Sequence, residues 1–117
     1  MNMLWIDDLR NPNDFINTAT YSSVTWKDTF EKGHTEVEYD LYDVIHLDND
    51  LSDENDRQGK HIFDYIEELL YFGKIKKLKK IIIHSDNSSA VRYMMGAKAI
   101  LNDKYGVEVS QMIFKSQ

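Results

Sequence analysis

The 117-residue chain has no cysteine. That excludes disulfides, thiolate catalysis and zinc sites built on sulfur, and it fits a reducing compartment. No apolar run is long enough to span a membrane, and the N-terminus lacks the basic region and apolar core of a signal peptide. The expectation is a soluble, cytoplasmic protein. Proline occurs once, at Pro12, and no linker, internal repeat or low-complexity segment interrupts the chain. A single domain over residues 1–117 is expected, large enough for a real core. Several chemistries are missing too. There is no G-x-x-x-x-G-K-[ST] phosphate loop, no G-x-G-x-x-G and no H-E-x-x-H. Ser85 has no glycine elbow around it. Asp48-Asn49-Asp50 superficially suggests a calcium loop, but Asp53 stands where that loop needs glycine and Gly59 where it needs glutamate. Two His-x-Asp pairs, His46/Asp48 and His84/Asp86, lack the further histidines of a dinuclear phosphoesterase. The net charge of −6 argues against broad binding to nucleic-acid backbone.

What remains is a globular composition, 42% hydrophobic and 29% charged, in which short apolar runs break into acids. Met3-Leu4-Trp5-Ile6 ends in Asp7-Asp8. Val44-Ile45-His46-Leu47 ends in Asp48-Asn49-Asp50. Ile81-Ile82-Ile83 ends in His84-Ser85-Asp86-Asn87. Each reads as a buried strand ending at a site. Between them, Asn11-Pro12 starts a short helix or turn through Phe15 and Ile16, and Ser22 to Trp26 reads as a weak edge strand. Phe30, Val37 and Leu41 predict a helix over Lys27 to Leu41, with Gly33 against it. Ile62, Phe63, Ile66, Leu69 and Leu70 predict a helix closed by Gly73. Val91, Met94, Met95 and Ala99 predict one from Ser88 to Tyr105, the methionines filling the core, and Val107 to Phe114 reads as a last strand. The alternation predicts an α/β fold with a mainly parallel sheet. Lys74, Lys76, Lys77, Lys79 and Lys80 solvate a connection and complement a helix C-terminus, or else bind an anionic partner.

In such a sheet ligands bind beyond the carboxyl ends of the strands. Carboxylates clustered there repel one another unless a cation or proton intervenes. Asp7, Asp8 and Asp48 are therefore candidate ligands for Mg²⁺, which favours one or two carboxylates, water and phosphate oxygens. Their alternative role is to cap helices and turns at the sheet rim. Ser85, Asn87 and Arg92 are candidate phosphate contacts, helped by the N-terminus of the following helix, although Arg92 also fits an exposed helix charge. Asp48, Asp50 and His84 are candidate catalytic groups; His84 also fits a packed strand end, and His46 reads as structural.

The three blocks Leu4-Trp5-Ile6-Asp7-Asp8-Leu9-Arg10-Asn11-Pro12, Leu47-Asp48-Asn49-Asp50-Leu51 and His84-Ser85-Asp86-Asn87, with Arg92 and Met95 downstream, resemble a divergent branch of the response-regulator receivers, the cyclic-phosphate processing receiver domains. Receivers place an acidic pair after strand one, Asp after strand three, Ser or Thr after strand four and Lys after strand five. Asp7-Asp8, Asp48, Ser85 and Lys115 would match. The resemblance implies a three-layer flavodoxin-like fold, five strands in the order 2-1-3-4-5, and an acidic Mg²⁺ pocket. It also implies a role with cyclic nucleotides or terminal cyclic phosphates, on a small molecule or a nucleic-acid end. Small stand-alone members are common in bacteria and phages, so a phage origin is in keeping. Lys115 is followed by Ser116 and Gln117 rather than Pro, and no fifth helix follows, so the terminal helix is expected to be missing. These departures favour a self-contained site, a metal-dependent phosphoesterase or phosphate binder. The alternatives are a phosphoacceptor receiver using Asp48, and a module without chemistry that captures a host protein or nucleotide.

Overall fold

The computed structural model describes residues 1–114. Lys115, matched above to the receiver lysine, lies outside them. Five strands, β1 (Asn2–Ile6), β2 (Ser23–Lys27), β3 (Val44–Leu47), β4 (Lys80–Ile83) and β5 (Glu108–Gln111), form one sheet in the order β2-β1-β3-β4-β5. Every pairing is parallel. This is the expected 2-1-3-4-5 order of a receiver-like, flavodoxin-like α/β fold.

The side-chain period of two assigns the faces. Leu4, Ile45, Ile81 and Val109 lie in register across four strands, and Ile6, Leu47 and Ile83 form the next row. These residues share a core with α1 (Phe30–Glu36), α2 (Gly59–Tyr71), α3 (Ser88–Met95) and α4 (Lys98–Tyr105) through Phe30, Ile62, Phe63, Ile66, Val91, Met94 and Leu101. Each fully buried Leu, Ile or Phe contributes about 1.5–3 kcal/mol relative to exposure. The opposite face, Met3, Trp5, Val44 and Ile82, is covered by Phe15, Ile16, Tyr21, Met112 and Phe114. Most of that cover comes from the β1–β2 connection, which has two 3₁₀ turns, Pro12–Asp14 and Thr18–Thr20, capped by Asn11 and Asn17.

Three element boundaries differ from expectation. The helix expected from Lys27 starts only at Phe30, because β2 runs through Lys27 and the Thr29 hydroxyl accepts from the Lys32 amide at 3.1 Å as N-cap. It ends at Glu36, passes into a 3₁₀ turn at Val37–Tyr39, and is stopped by Asp40 at φ 53°. Gly33 has a packing reason: a Cβ there would lie 2.9 Å from Ile6 Cγ2, so α1 sits directly on β1. The helix expected from Ser88 to Tyr105 is two helices, because Ala97 N–H turns tightly onto Met94 C=O at 3.1 Å. The last strand pairs only over Glu108–Gln111, with Met112 N–H reaching Ile83 C=O.

Lys74, Lys76, Lys77 and Lys79 are exposed in the α2–β4 connection. Asp40 holds that connection by accepting from the Lys76 and Lys77 amides. Among the described residues no helix is long and apolar enough to cross a membrane.

Candidate functional site

The ends of β1, β3 and β4 are stitched side by side. Asp48 N–H donates to Ile6 C=O at 2.9 Å, and His84 N–H to Leu47 C=O at 3.0 Å. The residues following each strand therefore meet at one edge of the sheet. Asp7 is fully buried there. Its Oδ1 accepts from the Leu9 and Arg10 amides, both at 2.9 Å, and its Oδ2 lies 2.8 Å from His84 Nε2. Burial pushes the Asp7 carboxyl up. The His84 hydrogen bond, the two amides and the His84 charge outweigh that and leave it below the ordinary carboxylate value.

Asp8 is half-buried and accepts from the Ser52 hydroxyl at 2.6 Å. Asp48 is buried, and its carboxyl is pushed up to about 8. Burial is the main cause, followed by the Asp7 and Asp8 charges; Arg10 and the Asp50 amide oppose the rise. One carboxylate oxygen from each of Asp7, Asp8 and Asp48 lies within 4.8 Å of the others. This set is all oxygen and acidic, and burial first, then the neighbouring acids, makes Asp48 resist ionising. Such a donor set fits a hard divalent cation.

Asp8 and Asp48 line a cavity of about 500 Å³, while the buried Asp7 does not reach its wall. Its walls include Asp8, Arg10, Asp48, Asp50, Arg57, Ser85, Asp86 and Asn87. Ser85 Oγ accepts from the Asn87 amide at 3.1 Å, and Asn87 Oδ1 caps α3 by accepting from Ala90 N–H at 3.0 Å. Asp50 is exposed at the rim. His84 does not line the cavity: it is buried behind Asp7 and stacks on Trp5 with 4.7 Å between ring centroids. Arg92 is exposed on α3 and is not among the lining residues. Burial drives His46 down to about 3, with the charges of His84 and Lys80 adding to it, so the ring is neutral. It packs on Trp5, in keeping with a structural role.

A family model described as Cyclic-phosphate processing Receiver domain matches residues 2–99. The chain belongs to that family. Comparison with curated proteins and with solved structures gives no match. In this cyclic-phosphate processing receiver domain the acidic pair after β1 and the Asp after β3 converge, and Ser85 lines the same cavity.

Three features of the receiver site carried no role in the sequence reading. Arg10 Nη1 lies 3.4 Å from Asp7 Oδ2 and 3.8 Å from Asp48 Oδ2, while Nη2 lies 3.8 Å from Asp86. Its position three residues after Asp7 was visible, but only the turn of the chain folds it back. Arg57 forms a two-pronged pair with Asp53, both contacts at 2.9 Å, and lies 4.6 Å over the Phe30 ring. Asn49 ties β3 to α2: its Nδ2 donates to Gln58 Oε1, and its Oδ1 accepts from Lys60 N–H.

Proposed function

We propose that this domain binds Mg²⁺ through Asp7, Asp8 and Asp48 and uses the filled site to hold a phosphate ester, with cyclic nucleotides or terminal cyclic phosphates as its ligands. The observation that carries the reading is the meeting of three carboxylates within 4.8 Å beneath a cavity that also presents Arg10 and Ser85. When bound, the ion neutralises the carboxylates and polarises phosphate oxygens. The chain supplies the rest. The Ser85 hydroxyl and the Asn87 amide nitrogen orient phosphate oxygens from one wall. Asp50, exposed at the rim, is the candidate proton acceptor. His84 acts behind Asp7 and fixes its carboxylate. Among the described residues no aromatic side chain lines the cavity, so phosphate rather than a stacked base is the recognised group.

The test is titration and turnover with cyclic mono- and dinucleotides and with RNA ends bearing 2′,3′-cyclic phosphate, with and without Mg²⁺. Metal-dependent binding that is lost in Asp48→Asn is expected. No binding anywhere in the panel overturns the proposal. Asp48 also lines the cavity at the end of β3, which favours phosphoryl acceptance as a second reading. Beryllofluoride with Mg²⁺ then perturbs the spectra of the wild type and leaves Asp48→Asn unchanged.

A further inference from the structure

We propose that Arg10 is the anion-recognising residue of this site, and that it occupies the carboxylates as an internal counter-ion until a metal ion releases it to a phosphate group. The inference rests on the phosphate reading above and adds a role for a residue outside the proposed ligand set.

The geometry is that of a shared cation. Arg10 reaches Asp7 at 3.4 Å and Asp48 and Asp86 at 3.8 Å each, all longer than a good charged hydrogen bond. Among the described residues no carboxylate holds the guanidinium in a close two-pronged grip. Contrast Arg57, whose two contacts to Asp53 are both 2.9 Å. Asp86 is 98% exposed at its side chain, so that pair is screened by water and exchanges easily. Asp7 and Asp48 belong to the acidic set, so a bound divalent cation would compete for the carboxyl oxygens that Arg10 now approaches.

The guanidinium is also held in place by groups that do not depend on charge balance. Its central carbon lies 5.9 Å from the Phe15 ring centroid and 5.6 Å from that of Phe114. The Arg10 backbone is fixed at both ends, its N–H donating to Asp7 Oδ1 and its C=O accepting from Trp5 Nε1 at 2.8 Å. Losing its carboxylate partners therefore leaves the guanidinium in the wall of the cavity that Ser85 and Asn87 also line. A planar fork of donors suits two oxygens of one phosphate, which a lysine ammonium does not reproduce. Among the described residues the acids flanking the cavity outnumber Arg10 and Arg57, so an anion is expected to enter only after the metal.

A counter-ion of this kind makes metal and anion affinity move in opposite directions when it is removed. Mn²⁺ alone, followed by electron paramagnetic resonance, should bind Arg10→Ala several-fold more tightly than wild type, because the competing cation is gone. With Mn²⁺ saturating, inorganic phosphate and 2′,3′-cyclic AMP should bind Arg10→Ala about tenfold to a hundredfold more weakly. Arg10→Lys should keep the weaker Mn²⁺ binding of wild type yet recover little of the phosphate affinity. Circular dichroism of both variants establishes that they fold, and Arg10→Lys carries the test if Arg10→Ala does not. Wild-type phosphate affinity in Arg10→Ala overturns the role of Arg10 while leaving the proposed function standing. Wild type that binds no phosphate with Mn²⁺ present overturns both. Loss of Mn²⁺ affinity in folded Arg10→Ala shows Arg10 to be a support for the acids and overturns the counter-ion role.

Discussion

His84 Nε2 and Asp7 Oδ2 are 2.8 Å apart, and neither residue is exposed. Trp5 stacks on the imidazole, which keeps the ring from turning away from the acid. A group that orients a metal-binding carboxylate in this way commonly changes metal affinity about tenfold to a hundredfold when removed. His84→Phe keeps the aromatic volume and loses the hydrogen bond. Mg²⁺ affinity measured by calorimetry should fall by about that factor, with stability in urea lowered by about 1–3 kcal/mol. Lowered stability with unchanged Mg²⁺ affinity would make His84 a packing residue only.

The raised Asp48 carboxyl makes stability depend on pH with a definite sign. The folded form holds its proton up to about 8, whereas the unfolded chain releases it near the ordinary 3.8. Between these values the folded state binds more protons, so Asp48 contributes stability at low pH that is lost as pH rises through about 8. His46 and His84 are lowered from the ordinary 6.5. They act oppositely: their contribution is present above that value and is lost as pH falls. From about 6.5 to about 8 the Asp48 slope is therefore the clearest. Urea midpoints should fall across that window without metal, at up to about 1.4 kcal/mol per pH unit. With saturating Mg²⁺ the slope should flatten, and calorimetry in buffers of different ionisation enthalpy should show about one proton released per ion bound near neutrality. A flat metal-free profile would remove Asp48 as the protonated member of the set.

The parallel α/β sheet and the meeting of the three strand ends were legible in short apolar runs separated by amphipathic stretches, whereas the strand order came only with the resemblance of the three blocks to the receivers. What periodicity could not show is where side chains point back. Arg10 enters the site because the Asp7 carboxylate accepts the Leu9 and Arg10 amides. That turn leaves no hydrophobic pattern. Arg92 looked suitable from its place one turn into α3, but it faces solvent outside the cavity lining. The break between α3 and α4 was hidden for a related reason. Gly96 and Ala97 both keep right-handed helical backbone angles, so nothing local forbade a continuous helix. His84 carried its chemistry in its identity, yet only burial shows that it serves Asp7 from behind.

His46, on the same face of the sheet as Trp5 and His84, carries a separate prediction. Its Nδ1 is buried without a hydrogen-bond partner among the described residues, and the ring packs on Trp5. Burial has driven its pKa to about 3. The unfolded chain protonates this residue near 6.5, so it drains stability as pH falls from 6.5 towards 3. His46→Phe removes both the orphaned nitrogen and the titration. Stability at neutral pH should be unchanged or higher by about 1 kcal/mol, and the acid-side loss should become shallower. A steeper acid loss in the variant would contradict the burial account.

The tightest steric constraint on the site is at Gly59. A Cβ built there would lie 2.0 Å from the Asp48 carbonyl oxygen and 2.8 Å from Asn49 Cα. Both obstacles are backbone, so no side-chain rotation relieves them. The close approach has a cause: Gly59 N–H donates to Asn49 C=O at 2.8 Å, and Lys60 N–H to Asn49 Oδ1 at 2.9 Å, which docks the start of α2 onto the end of β3. In Gly59→Ala either α2 backs away or the Asp48 segment moves. Forced displacement of this kind typically costs about 1–3 kcal/mol and occasionally more, and the severity of this overlap places the loss at about 3 kcal/mol or above. Either shift disturbs the backbone contact at Asp48, so Mg²⁺ affinity should fall together with stability. Gly96→Ala is the comparison, since its new Cβ would sit 3.3 Å from Tyr93 C=O in ordinary helical backbone. That variant should stay within about 1 kcal/mol of wild type and bind Mg²⁺ normally. Equal urea midpoints for the two variants would mean that α2 does not dock closely on the end of β3.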